Sequence, residues 1–147
     1  MVMQGLSGTG KTSLPYALGK FFQNNCTICS VQPSWRDRSE LLGFYNDFTK
    51  KFTETEFLRS IYESTFREDV NLIVLDEMNI ARIEYYFAEF LSIMEMPNPS
   101  AWNIDLISSP QKDDPKHLRD GKLLIPQNVW FIGTANNDDS TFTITYK

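Results

Sequence analysis

The sequence predicts a three-layer α/β/α fold around a central parallel sheet, and three observations carry that expectation. Short β-rich runs alternate with segments of helical periodicity. The clearest strand is an unbroken apolar run, as in a strand covered on both faces. Three clusters of polar residues each stand just past the carboxyl end of such a run, where parallel sheets bind their ligands. Strands alternating with helices imply right-handed crossovers and hence a parallel sheet.

The elements follow in order. Met1 to Gln4 reads as a short strand, and Gly5 opens a loop. Lys11 to Phe22 reads as a helix, with Leu14, Leu18 and Phe21 or Phe22 at helical spacing. Pro15 falls in its first turn, where a missing N–H does little harm. Thr27 to Val31 is a second strand, followed by a loop, VQPSWRDRSELLGFYN. Glu54 to Phe66 predicts a helix with Phe57, Leu58, Ile61, Tyr62 and Thr65 on one face. Val70 to Leu75 is the apolar strand, and Ile83 to Met94 a helix rich in Phe, Tyr and Leu. Met96 to Lys122 holds four of the seven prolines and predicts an irregular insertion, with a hairpin at Asp120-Gly121. Val129 to Gly133 is a last strand, ending in the polar cluster TANNDDST.

The 147 residues suit one domain with a real core, and 41% hydrophobic with 22% charged residues is ordinary globular composition. No apolar run approaches the about 18 residues of a membrane span, and no basic-then-apolar leader opens the chain. These features predict a cytoplasmic protein without a membrane partner. A net charge of -5 argues against direct nucleic-acid binding, because phosphate contacts want a basic surface. Lys50 and Lys51 read as solvated surface. Cys26 and Cys29 form a C-x-x-C pair, but residues i and i+3 of a strand point to opposite faces. With His117 the only histidine, a four-ligand zinc site has too few groups, and both cysteines read as reduced structural thiols.

The chemistry begins at GLSGTGKT, Gly5 to Thr12, which matches G-x-x-x-x-G-K-[ST], the P-loop of nucleoside triphosphatases. Glycines let the backbone curl so that successive N–H groups converge on an anion. The following helix adds its positive end. The expected phosphate-binding residues are Gly5, Gly8, Thr9, Gly10, Lys11, Thr12 and Ser13. Lys11 reaches the β- and γ-phosphates, and the Thr12 hydroxyl ligates Mg²⁺. In NLIVLDEMN, Asp76 and Glu77 follow the apolar strand. Asp76 is the expected magnesium holder, and Glu77 the group that polarises a water for in-line attack. The same acids would also favour the start of a following helix without any ligand. At the third strand end, VWFIGTANNDDST, Asn136 is the residue expected to orient that water; alone, the cluster would read as an Asn/Asp turn.

Together and in this order, the three motifs resemble the AAA+ ATPases, and among them the McrB-like and dynein-related branch. GLSGTGKT corresponds to Walker A, LIVLDEMN to Walker B and FIGTANNDDST to sensor 1, so the resemblance covers nearly the whole chain. VQPSWRDRSELLGFYN is also similar to a segment of McrB-like proteins. The Asn-Thr-Ala-Asp motif of McrB is matched at Asn136 and Asp139, with Asn137 and Asp138 between, and Ser140 stands where the family has arginine. That departure favours ATP over GTP as the nucleotide.

The resemblance implies a large AAA+ subdomain whose last strand and helical lid lie beyond Lys147. It implies catalysis by Lys11, Glu77, Asn136 and Asp139, with ATP and Mg²⁺ as cofactors. It further implies a homo-oligomeric ring completed by an arginine from the next subunit. In such a ring hydrolysis drives remodelling or translocation, as in the motor of a restriction system, with a nuclease or DNA-binding partner reached through other regions. Arg82 reads as a surface ion-pair residue rather than that arginine. A nucleotide-gated assembly module with little catalysis is the rival reading, against which the intact Glu77 argues.

Overall fold

Burial sets the centre of the molecule. In the computed structural model, which describes all residues except Ser7, Thr9, Asn25, Asp139, Ser140 and 144–147, strand β5 (Asn71–Asp76) has its first five residues buried. Leu72, Ile73, Val74 and Leu75 are each at most 1% exposed. At about 1.5–3 kcal/mol per buried aliphatic side chain, this strand outweighs any single polar contact around it.

The other strands of the main sheet are β1 (Val2–Gly5), β2 (Thr27–Ser30) and β9 (Val129–Asn136), in the order β1-β9-β5-β2. Every pairing is parallel. The register pairs Gly5 with Asn136, Leu75 with Gly133, and Ser30 with Asp76, so all four carboxyl ends finish level at one edge.

Alternation along the strands sorts side chains into two layers. Leu72, Val74 and Ile132 face helix α1 (Ser13–Phe21) and the turn after it, meeting Leu18 and Phe22. Ile73, Leu75, Phe131 and Ala135 face the other way, onto helix α3 (Glu56–Ser64) and a second group of helices. There Phe57, Phe87, Phe90 and Phe131 form an aromatic cluster with ring centroids 5.2–5.9 Å apart. Such pairs add about 0.5–1.5 kcal/mol each beyond area burial. A buried polar seam fixes α3 on the sheet: Asn71 Nδ2 donates to Ser60 Oγ at 2.8 Å and Ser64 Oγ at 2.7 Å. The α/β/α layering and parallel sheet expected from the sequence are therefore present.

Several element boundaries differ from expectation. Helix α1 starts at Ser13, not Lys11, since the phosphate-type loop continues through Thr12. Helix α3 begins after Thr55, whose Oγ1 accepts from the Leu58 amide at 3.1 Å and so caps it. Strand β9 runs three residues past Gly133 and carries Thr134 and Asn136 on the sheet itself.

The expected helix Ile83–Met94 is two, α4 (Ile83–Tyr86) and α5 (Ala88–Met94), broken at Phe87 with φ -121 and ψ -6. Tyr86 packs against Trp35, while Phe87 packs on Phe90 and Phe131. Both rings are buried, Tyr86 at 1% and Phe87 at 4% exposure.

The segment read as a loop after β2 is structured. It contains α2 (Ser39–Leu42), with Leu41 and Leu42 fully buried, and β3 (Phe44–Asn46), which forms a hairpin with β4 (Lys51–Thr53) just beyond it. Arg38 ties it down through an ion pair to Glu89 and a hydrogen bond to the Asp105 carbonyl.

The proline-rich insertion is likewise more regular than expected. β6 (Asn103–Asp105), β7 (Leu118–Arg119) and β8 (Lys122–Leu124) make a small antiparallel sheet. Its β7–β8 turn is the anticipated Asp120-Gly121, with both residues at positive φ as a tight hairpin requires. Among the described residues, no helix is long and apolar enough to cross a membrane.

Gly133 is a point of close approach. A Cβ there would lie 2.0 Å from Met78 Sδ, and Met78 is 5% exposed with little room to move. Gly133→Ala is expected to cost about 1–3 kcal/mol through overpacking, read as a lower urea midpoint at unchanged slope.

Candidate functional site

The site is assembled where the four level strand ends meet the loop leaving β1. Gly8 and Gly10 in that loop adopt φ of 78 and 81, a conformation that L side chains rarely take and glycine reaches freely. The Lys11 ammonium folds back across the loop, donating to the Leu6 carbonyl at 2.6 Å and the Gly5 carbonyl at 3.2 Å. The Ser13 amide donates to the Gly10 carbonyl at 3.1 Å and so closes a turn.

Thr12 is the N-cap of α1, yet its side chain makes no cap hydrogen bond. The usual cap would accept from an amide of the first turn and is worth about 1 kcal/mol. Instead Thr12 Oγ1 donates to Asp76 Oδ1 at 3.0 Å, across 64 residues of sequence. The first-turn amides of α1 are thus spared a side-chain acceptor, as an anion-binding helix start requires.

Asp76 is held from a second side by Thr134 Oγ1, which donates to the same oxygen at 2.6 Å. The Thr134 hydroxyl in turn accepts from the Glu77 amide at 2.9 Å. Glu77 sits in the left-handed region, φ 54 and ψ 43, which costs a residue with a Cβ about 1–2 kcal/mol. The turn at Met78–Ile80 that follows is braced by Tyr86, whose OH donates to the Met78 carbonyl at 2.6 Å. This unusual backbone turns the exposed Glu77 side chain back over β9, where Asn136 Nδ2 donates to Glu77 Oε1 at 3.0 Å.

Lys11, Thr12, Asp76, Glu77 and Asn136 therefore converge at one sheet edge, with Gly5, Gly8, Gly10 and Ser13 in or beside the loop. Thr9 and Asp139 lie outside the described residues. Arg82 does not form the surface ion pair expected of it: its guanidinium lies 4.8 Å from the centre of the Phe142 ring, and the ion pairs among the described residues involve other groups.

Thr134 went unnoticed in the sequence. Its only signal was a position two residues before Asn136, on the same face of an unexpectedly long strand.

The donor set suits Mg²⁺. Adjacent oxygens around an octahedral Mg²⁺ with bonds of 2.0–2.1 Å stand about 3 Å apart, and Thr12 Oγ1 and Asp76 Oδ1 are 3.0 Å apart. No group of three or more His, Cys, Asp or Glu among the described residues could hold a metal alone. A Mg²⁺ that takes one hydroxyl and one carboxylate and leaves its other positions to phosphate and water needs no such group. A cleft of about 1100 Å³ lies elsewhere, between β1, β9 and helices α4 and α5, and touches none of the converging polar side chains.

Cys26 and Cys29 face opposite sides of the sheet, Cys26 toward the α1 layer and Cys29 toward the α3 layer. Both are free thiols, and burial, reinforced by Glu56, pushes the Cys29 thiol up to about 12.

No protein-family model matches the chain, and no curated protein matches it. Among solved structures, the chain is similar to the crystal structure of a candidate ATPase from Cytophaga hutchinsonii ATCC 33406. The TM-score is 0.53 at 16% identity, over 98% of this chain and 36% of that one. At such identity the likeness concerns the fold, which is the P-loop NTPase-like α/β/α arrangement. The chain spans little more than a third of that protein's length.

Two measurements check this geometry. Glu77→Gly is expected to raise stability by about 0.5–1 kcal/mol, the left-handed strain relieved less the added entropy of the unfolded chain; an unchanged or lower melting temperature would contradict the strain. Cys29 carries its proton more tightly folded than unfolded, so this group's stabilisation is complete below the unfolded pKa and is lost as pH rises toward 12. At pH 8 iodoacetamide should alkylate it quickly in urea and slowly in the native chain.

Proposed function

We propose that this chain is a nucleotide-binding core that holds ATP with Mg²⁺ and hydrolyses the γ-phosphate. The single observation that carries the reading is the 3.0 Å contact between Thr12 and Asp76. It joins the residue that ends the phosphate-type loop to the acid that ends the central strand, at the sheet edge where such folds bind ligands. The description of the similar Cytophaga hutchinsonii protein as a candidate ATPase agrees with it.

In this reading the loop amides from Gly8 to Ser13, Thr9 included, face the phosphates. Lys11 exchanges its two carbonyl partners for β- and γ-phosphate oxygens. Thr12 and Asp76 hold the cation, which when bound neutralises charge on the phosphates. Thr134 fixes Asp76 from behind, keeping its carboxylate turned toward Thr12. Glu77 accepts a proton from the attacking water, and Asn136, with Asp139, orients that water.

The finer reading follows the resemblance to the McrB-like AAA+ branch. The chain would work in a homo-oligomeric ring with an arginine from the neighbour at each site, and would drive remodelling or translocation for a nuclease or DNA-binding partner. ATP is the nucleotide of choice and GTP the alternative, distinguished by competition binding.

Lys11→Ala is expected to abolish ATP binding by a fluorescent analogue. Glu77→Gln should bind ATP normally and release no phosphate; turnover at the wild-type rate would sink the role given to Glu77. The chain as a monomer should hydrolyse slowly, since a neighbour's arginine is worth roughly 10³–10⁵ in rate in related enzymes. Nucleotide binding with no phosphate release in any assembly state would favour a nucleotide-gated scaffold.

A further inference from the structure

Asn79 is 2% exposed, in the turn two residues after Glu77, and its amide is committed on every side. Its Oδ1 accepts from the Asn136 amide at 3.1 Å. Its Nδ2 donates to the Asn136 carbonyl at 2.8 Å and the Phe142 carbonyl at 3.0 Å. Its own backbone carbonyl accepts from the Phe142 amide at 2.8 Å.

One buried side chain therefore grips both polar backbone groups of Asn136, at the last residue of β9. Asn136 is also the residue whose side chain reaches Glu77 at 3.0 Å. On the β1 side Asn136 is still paired with Gly5, but on the β5 side the ladder ends at Gly133 opposite Leu75, and Asn79 supplies the hydrogen bonds there. The paired carbonyl and amide contacts fix the rotation of Asn136 about the strand axis, and hence where its side-chain amide points.

We propose that Asn79 is a positioning residue for hydrolysis: by clamping the Asn136 backbone, it holds the Asn136 amide on Glu77 and aims the pair at the attacking water. This rests on the nucleotide reading above and adds to it a residue that contacts neither phosphate nor cation. The same clamp binds Phe142, whose ring carries the Arg82 guanidinium, so the chain leaving β9 is tied to the turn after Glu77 at two further points. A rearrangement of Glu77 and Asn136 during turnover would be felt directly by that departing segment.

The role separates from plain structural glue by its kinetic signature. In Asn79→Ala, the dissociation constant for ATP with Mg²⁺ is expected to stay within about twofold, because Lys11, Thr12 and Asp76 are untouched. The single-turnover hydrolysis rate should fall about 10- to 100-fold, the usual cost of a misplaced catalytic group. Amide hydrogen exchange at Asn136, followed by NMR, should speed up. If the alanine variant does not fold, Asn79→Asp keeps the volume and the Oδ1 acceptor while losing both Nδ2 donations, and the same split is expected of it.

An unchanged hydrolysis rate, or binding and rate lost in parallel in both variants, overturns the proposal while leaving the nucleotide reading intact. A wild-type chain that binds no nucleotide overturns that reading and this one with it. A wild type that binds but never hydrolyses overturns the catalytic role of Glu77 and the positioning role of Asn79 while leaving nucleotide binding intact.

Discussion

The hydrogen bond between Thr12 and Asp76 is the contact on which the site depends, and it exists because of the sheet register. Parallel pairing places Gly5 beside Asn136 and Ser30 beside Asp76, so the loop after β1 and the acids after β5 start from the same edge. A slip of one residue in β5 would turn Asp76 to the opposite face and bury an uncompensated carboxylate. The slip is opposed by Asn71, which would lose its buried hydrogen bonds to Ser60 and Ser64, and by the fitted packing of Leu72 and Val74 in one layer and Ile73 and Leu75 in the other. Core packing thereby enforces a polar geometry that contributes little stability of its own.

Around that contact the protein accepts local costs. Thr12 forgoes its cap bond, and Glu77 takes a left-handed backbone. Each costs on the order of 1 kcal/mol, and each is offset by a partner brought from elsewhere in the chain. Thr134 supports both acids, Tyr86 braces the turn, and Asn79 closes it onto β9. Strain held in place by its surroundings at a polar strand end is the pattern of a functional site rather than of a simple helix cap.

The second layer explains why the segment after β2 and the proline-rich insertion are more ordered than their composition suggests. Arg38 links α2 to Glu89 on α5 and to Asp105 on β6, while Trp35 packs on Tyr86. These pieces cover the α3 face of the sheet and immobilise the helices that support the turn at Met78–Ile80. Short elements of this kind have little intrinsic stability and gain it from tertiary burial.

What could be read in the sequence was local. The continuous apolar run at Leu72–Leu75, the loop glycines with Lys11 and Thr12, and the acids Asp76 and Glu77 each signal their structure within a few residues. The alternation of strands and helices then implied the parallel sheet and a ligand edge. What required the tertiary structure was whatever depends on distant partners. The break at Phe87 falls between two rings buried in the tertiary structure, Tyr86 on Trp35 and Phe87 on Phe90 and Phe131. The length of β9 follows from pairing with β1, and the α2 and β3–β4 elements from packing on the α3 layer. Thr134 and Asn79 look like ordinary polar residues until the fold carries them to Asp76 and Asn136, nearly sixty positions away. Periodicity and motif spacing encode contacts along the chain, whereas a hydrogen bond between two strand ends is decided by register, which only the packed core sets.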